Sequence, residues 1–462
     1  MTMSSGTYSN PAKLIVVICC IALIIGMFSY AYFLSDANNE VLSKEEIQSN
    51  VEAYKNKDLS YDFTASYLKK YGIGNINYYK INLVEEYLET NFYKELPSKN
   101  ERAITICNLF IENYYDSLDL DNKEAVTDVV INCYFNLLGD PYAYYRTAKQ
   151  FEEYQSFIHE DETTVGVGIV INTQTLQILT VYKDSPAEKA GICEDDILYA
   201  VDGYTLDNCT KEELVNKLRG EEGTEVAITV LRDGTLLTTV AKRSAIIVRN
   251  VIYEMLEDNV GYIAISQFTG STYEHFVEAV DYCTGKGAVA LVIDVRSNPG
   301  GLLSLTSQVI DYLIPDAEDR VIATYTQSGT KYSYYTTDGH SVDVPIAVIC
   351  NEGTASSGEL FAAAIKDFDE AGIIDGIVVG KTTYGKGIAQ TSIQLYDNSG
   401  ITFTIGYFNP PSGVNFHGVG VSPDFEVVEI EEKDAPLSVA TKELLKITNT
   451  NGNMAGSMSA AA

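Results

Sequence analysis

Three short stretches of this chain carry groups that do chemistry only in company. Asn298-Pro299-Gly300-Gly301 is a glycine turn after an apolar run, Ser356-Ser357 opens a helical pattern after a second, and Lys386 stands between glycines in TTYGKG after a third. A serine hydroxyl is a weak nucleophile that requires a base, and a lysine serves when burial lowers its pKa to about 7 to 8. An oxyanion needs backbone N–H donors rather than side chains, and removing one typically costs about 3 to 4 kcal/mol of barrier stabilisation. A glycine turn suits that role, as does the start of an Ala-rich helix with its free N–H groups. Taken singly, each stretch has a plainer reading. Serine is a preferred helix cap, and a lone lysine ordinarily lies on the surface.

The surrounding elements bring the three together. AVALVIDV (288–295), VPIAVIC (344–350) and GIVVG (376–380) are unbroken apolar runs separated by helical patterns, which predicts a largely parallel sheet covered on both faces over 246–433. Strands of such a sheet end on one edge, where ligands bind in the following loops. The three stretches are those loops. Asp294 and Arg296, beside the first strand end, are expected to be structural ion partners.

Upstream the pattern changes. VGVGIVI, LQILTVY, ILYAVDG and EVAITVLRDG are short strands bounded by Gly, Asp or Pro, with TKEELVNKLRG as a helix between the last two. The GxG, SPAEKAG and ILYAVDG phrases, in that order over 161–245, resemble a PDZ domain. In that family the loop matching Gly166, Val167, Gly168 and Ile169 binds a peptide's terminal carboxylate, and the peptide adds as a strand. Residues 36–160 read as mostly helical, with capping-box spacing from Ser43 to Glu46 and apolar stripes such as Val84, Leu88 and Val126, Val130, Cys133. Asp140 and Tyr142 read as a structural turn. Leu14 to Leu34 carries no charge and is long enough for a bilayer helix of about 20 residues. With Lys13 before it and acids after, segment 1–35 is expected to be a single-pass anchor in the cell membrane with the catalytic portion outside the cytoplasm. A cleaved signal ending near Ser29-Tyr30-Ala31 is the alternative. Segment 434–462 is expected to be a tail, small and polar at its end and disordered there.

Composition excludes other classes. A net charge of -32, from 64 acidic and 32 basic side chains, repels nucleic acid. The eight cysteines and four histidines show no metal-ligand spacing, so no metal site is expected, and most cysteines are expected to be small buried hydrophobes.

Over about 125–430 the chain resembles the C-terminal processing peptidases. LLGDPYAYYRTAKQFEEY, GYIAISQF, DVRSNPGGLL, NEGTASSGELFAAAIKDF, TTYGKGIAQ and GVGVSPD match that family's motifs in order. The resemblance implies a crotonase/ClpP-like α/β catalytic domain. It selects Ser356, three residues before Glu359, as nucleophile over Ser357, makes Lys386 the base and Gln390 the residue that positions it, and assigns the oxyanion to Gly300, Gly301 and the Ser357 N–H. It further implies no cofactor, protein substrates with free C-termini and a homodimer through the helical segment. Two departures stand out: Ser357-Gly358 where the family usually has alanine and serine, and a longer stretch before Lys386, with DFDEAGIIDG expected as an extra loop. A PDZ scaffold with a decayed peptidase domain and a crotonase-like acyl hydrolase are the rival readings.

Overall fold

A computed structural model describes residues 41–54, 61–159, 163–171, 175–182, 184–428 and 434–459. The expected anchor lies outside them, and among the described residues no helix is long and apolar enough to cross a membrane. The described residues form two compact units, one of those up to 148 with 390–404 and one of those from 149 to 389 with those from 405 on.

The first unit is helical as expected: α1 (Lys44–Tyr54), α2 (Thr64–Tyr71), α3 (Tyr78–Asn91), α4 (Lys99–Asn113) and α5 (Lys123–Leu137). Their starts follow from local capping. Ser98 and Glu101 form a reciprocal box at α4, and Asn122 accepts from the Ala125 N–H at α5. The stripes Ile81, Val84, Leu88 and Val126, Val130, Cys133 are fully buried. The unit ends earlier than residue 160, and it gains the hairpin 390–404. Strand β1 (Tyr144–Arg146) pairs antiparallel with Gly400–Thr402 of that hairpin. Buried Lys80 donates to Asp128 and the Tyr145 hydroxyl and pairs with Asp397 at the hairpin tip, at 2.7 to 2.9 Å. Asp140 accepts the Tyr142 N–H through its side chain and the Ala143 N–H through its carbonyl, the expected turn.

The second unit opens with α6 (Ala148–His159). A small β domain follows: β2 (Thr163–Gly166), β3 (Ile169–Ile171), β4 (Ile178–Val181), α7 (Pro186–Lys189), β5 (Ile197–Val201), α8 (Lys211–Asn216), β6 (Glu225–Arg232), β7 (Thr235–Lys242) and β8 (Ser244–Ile247). β5, β6 and β7 form one sheet, while β2 pairs β8 and β3 pairs β4. The run read as one strand, VGVGIVI, breaks at Val167-Gly168 into β2 and β3. Gly168 has φ +81°, and a Cβ there would lie 2.5 Å from Ser185 Cβ, so only glycine fits.

The remainder is β9 (Val251–Met255), β10 (Val260–Ile265), α9 (Thr272–Gly285), β11 (Ala290–Asp294), α10 (Leu303–Asp311), β12 (Val321–Gln327), β13 (Thr330–Tyr335), β14 (Ile346–Cys350), α11 (Ser357–Glu370), β15 (Gly376–Gly380), β16 (Ile388–Gln394), β17 (Gly400–Asn409), β18 (Phe425–Glu426) and α12 (Ala435–Ser459). The central sheet runs β18-β15-β14-β11-β10-β9, parallel throughout except for β9. Every residue of β11 and β14 is buried, as strands covered on both faces require. α9 takes one face, where Gly261 leaves room for Leu291 and Cys283. α12 takes the other, with Ala440 and Leu444 among Val260, Ala290, Val292, Ala347, Ile349 and Val379. The expected tail is therefore a helix whose first half completes the core. DFDEAGIIDG is likewise the end of α11 and the turn into β15 rather than an inserted loop.

Candidate active site

The loops after β11, β14 and β15 meet at one sheet edge, and hydrogen bonds lace them together. The Thr354 hydroxyl donates to Val295 O at 2.7 Å, the Ala355 N–H to Asn298 O at 2.8 Å, and the Tyr384 N–H to Thr354 O at 2.9 Å. Asn298 is fully buried. Its amide donates to Ile265 O and its Oδ1 accepts the Gly300 N–H, both at 2.8 Å, which sets the shape of the glycine turn.

Ser356 occupies the N-cap position of α11 with φ 55° and ψ -120°. A non-glycine residue there bears about 1 to 3 kcal/mol of strain, held by its surroundings. A sharp strand-to-helix turn of this kind lifts a serine hydroxyl clear of the sheet. Ser356 is half-buried, whereas Ser357 is buried and its hydroxyl donates to Gly301 O at 3.1 Å. Of the two serines, Ser356 is the less buried.

Glu359 is the group that sequence reasoning used only as a marker. Fully buried, its Oε2 accepts the N–H groups of Ser356 (2.8 Å) and Lys386 (2.7 Å), while its Oε1 accepts the Thr383 hydroxyl (2.5 Å) and the Gly385 N–H (2.6 Å). One carboxylate thus fixes the backbone of the strained serine and the backbone of the lysine turn. The signal available in the sequence was capping-box spacing from Ser356 to Glu359; nothing local pointed to the second pair of donors.

Gly300 differs from expectation. Its N–H is committed to Asn298, so it is no open oxyanion donor. Its role is spatial: with φ +100°, a Cβ there would lie 2.8 Å from both Ser356 Cβ and Ser357 N. Gly300 O and the Leu302 N–H both bond Phe268, so Gly301 turns its own polar groups the other way, its carbonyl to Ser357 Oγ. The Ser357 N–H, at the first position of α11, has no hydrogen-bond partner among the described residues. Lys386 is half-buried in the second unit. Gln390, four residues on, belongs to the first unit, where its side-chain amide donates to Tyr142 O at 2.6 Å.

Asp294 and Arg296 are ion partners as expected, with Asp434 as a third member. Burial disfavours the Arg296 charge, but the two carboxylates outweigh it and hold its pKa above the ordinary value. Burial pushes the Cys350 thiol up to about 12, which leaves it no nucleophile at neutral pH. Cys107, Cys133 and Cys283 are also buried, while Cys193 is exposed. Asp311, Asp316 and Asp338 each bring an oxygen within 4.8 Å of the others. They also accept N–H groups of Thr337, Gly339 and His340, so the cluster is a loop tie.

Residues 259–427 match the model of peptidase family S41, and residues 177–232 match that of the PDZ domain. The chain is 32% identical over 354 residues to the carboxy-terminal processing protease CtpB of Bacillus subtilis, covering 74% of this chain and 70% of that one. This chain belongs to the carboxyl-terminal processing serine peptidases of family S41. It is 30% identical to the carboxyl-terminal-processing protease of Synechocystis, covering 68% of this chain and 74% of that one. Against a probable CtpA-like serine protease of Staphylococcus haemolyticus it is 30% identical and spans 64% of that protein's length.

The S41 match covers the parallel strands of the central sheet, though not β9, and all three loops, and the PDZ match covers β4 to β6. In the PDZ domain Val167 O accepts the Ala187 N–H and Gly168 O the Tyr182 N–H, so the carbonyls of the loop 166–169 are used within the domain. β3 pairs with β4 alone among the described strands, leaving its other edge without a strand. Ile169 and Ile171 pack on the core that holds Leu214 and Leu218.

Proposed function

We propose that the protein is a serine endopeptidase anchored in the cell membrane by residues 14–34, with its catalytic portion outside the cytoplasm, that cuts protein substrates near their C-termini. Neutral Lys386 takes the proton of Ser356 Oγ as that oxygen attacks a peptide carbonyl. The N–H groups of Ser357 and Gly301 hold the resulting oxyanion. Lys386 then gives its proton to the leaving amine, and water hydrolyses the acyl-enzyme by the same route in reverse. The 166–169 loop of the PDZ domain takes the substrate's terminal carboxylate, and the free edge of β3 takes the preceding residues as an added strand. No cofactor is required.

The observation that carries this reading is the Glu359 carboxylate, which accepts from the Ser356 and Lys386 N–H groups at 2.8 and 2.7 Å. A structural cap needs the first of these bonds and not the second.

The test uses the full chain in detergent and an unfolded polypeptide with an apolar free C-terminus. Ser356→Ala and Lys386→Ala each abolish cleavage. A dead Ser357→Ala beside a fully active Ser356→Ala would overturn the choice of nucleophile, and undiminished proteolysis without Lys386 would overturn the dyad. Amidating the substrate's C-terminus weakens its capture; unchanged capture speaks against carboxylate recognition.

A further inference from the structure

The two backbone donors assigned to the oxyanion stand on separate segments. The Ser357 N–H opens α11 and the Gly301 N–H lies in the turn after β11; neither has a hydrogen-bond partner among the described residues. Donors that share one oxyanion must each lie about 2.7 to 3.1 Å from the same point. Two segments 56 residues apart in sequence therefore have to be held at a fixed separation.

Gly301 cannot do this through its own torsions. It has φ +150° and no Cβ, so the peptide planes on either side of it need outside contacts to fix them. Phe268, fully buried and packed on Phe361 of α11, supplies two: its N–H donates to Gly300 O and its carbonyl accepts the Leu302 N–H, each at 2.9 Å. The turn is also tied to the serine loop at its first residue, where Asn298 O accepts the Ala355 N–H at 2.8 Å. At its last residue the tie is the Ser357 hydroxyl, which donates to Gly301 O at 3.1 Å from a side chain 2% exposed. Among the described residues no other α11 side chain hydrogen-bonds residues 298–301. Gly358 offers none, and a Cβ there would lie 3.1 Å from Asn298 O and 3.2 Å from Thr354 Cγ2. The hydroxyl stands where the family usually has alanine, so the tie belongs to this chain.

We propose that Ser357 is a positioning residue of the oxyanion site: its hydroxyl, bonded to Gly301 O, sets the separation between the Gly301 and Ser357 N–H groups. One residue thus supplies one donor by its backbone and places the other by its side chain. The inference rests on the proposed peptidase reading. Removing the hydroxyl deletes neither donor, and Gly301 is exposed, so water can replace the lost bond to its carbonyl. The fold loses little. What is lost is a placement used only once the carbonyl oxygen has become an oxyanion, so the cost falls on kcat rather than on KM.

The experiment compares Ser357→Ala with Ser307→Ala, which removes another buried hydroxyl, one bonded to Leu303 O within α10. Both are made in the full chain in detergent and assayed on an unfolded polypeptide with an apolar free C-terminus. Ser357→Ala lowers kcat about 10-fold, less than the roughly 100- to 1,000-fold of losing an oxyanion donor outright, and leaves KM within about twofold. A peptide aldehyde, which Ser356 attacks to form a hemiacetal with its oxygen in the oxyanion's place, binds this variant about 10-fold more weakly. Ser307→Ala changes neither quantity, and the thermal midpoint of Ser357→Ala stays close to that of wild type. A Ser357→Ala kcat within about twofold of wild type, or a lower kcat with aldehyde affinity unchanged, overturns the inference alone. So does a fall in thermal midpoint large enough to account for the lost rate. Absence of any Ser356-dependent cleavage by wild type overturns the peptidase reading beneath it.

Discussion

Glu359→Gln is the sharpest perturbation of the site, because it keeps size and shape while changing what the buried group can accept. The carboxylate receives four donors, two on each oxygen. A carboxamide has one oxygen. Turned so that this oxygen keeps the Ser356 and Lys386 N–H groups, it points its NH2 at Thr383 Oγ1, which can accept, and at the Gly385 N–H, which cannot. One buried N–H is then orphaned, at about 1 to 3 kcal/mol, and the two retained bonds lose their charge assistance, at about 1 kcal/mol each. The sum is about 3 to 5 kcal/mol. Against a typical domain stability of about 5 to 15 kcal/mol, the variant folds, and its thermal midpoint falls by about 10 °C. The Lys386 turn is then free to shift, and a displacement of about 1 Å costs on the order of 100-fold in rate. Steady-state cleavage of an unfolded polypeptide, measured well below the midpoint, should show kcat lower by about that factor with KM little changed. A folded Glu359→Gln enzyme with kcat within about threefold of wild type would refute the reasoning that this carboxylate sets the register of serine and lysine.

Four other outcomes follow from the structure. Gly300→Ala puts a methyl group against Ser356 Cβ and Ser357 N and should lower kcat and the labelling of Ser356 by a fluorophosphonate at least about 100-fold. Gly372→Ala, with φ +66° and nothing within 4 Å, should cost only about 1 to 2 kcal/mol in a thermal melt and leave kcat intact. Lys80→Met leaves Asp128 and Asp397 without their shared cation and should destabilise the helical unit by about 3 kcal/mol in urea titration, with Lys80→Arg recovering part of it. Burial alone would raise the Asp196 pKa, but hydrogen bonds from Arg232 and the Cys193 N–H outweigh it and hold the pKa below 3.8. The unfolded chain therefore binds this proton more readily. The resulting stability is present above about pH 4 and lost as pH falls through the folded value. Amide protection factors in the PDZ domain, which are corrected for intrinsic exchange, should fall below about pH 4 in wild type, and Asp196→Asn should flatten that fall.

Much of this architecture is written in short-range patterns. Continuous apolar runs bounded by turns declare β11, β14 and β15 as buried parallel strands, and parallel strands bring their following loops to one edge whatever the details. The serine, the lysine and the glycine turn could thus be placed together from order and periodicity alone. The PDZ phrases and the helical stripes around Val84 and Val126 are equally local. The stripe Leu437, Ala440, Leu444 of α12 was also present in the sequence, but the polar end of the chain hid it. What called for a helix there was the uncovered second face of the sheet.

What the tertiary structure alone decided are the partners of single groups. The bonds that tie one loop of the site to another join residues 24 to 59 apart in sequence, and no periodicity encodes such pairings. The Ser357 hydroxyl lies buried against Gly301 O, and the Gly300 N–H is taken by Asn298. Gln390 falls with the helical unit because its hairpin packs there around Lys80. Local chemistry determines which elements form and in what order. The close approach of loops from three strands determines which of two adjacent serines is buried, which N–H groups stay open, and that a single buried carboxylate holds the serine and lysine backbones in place.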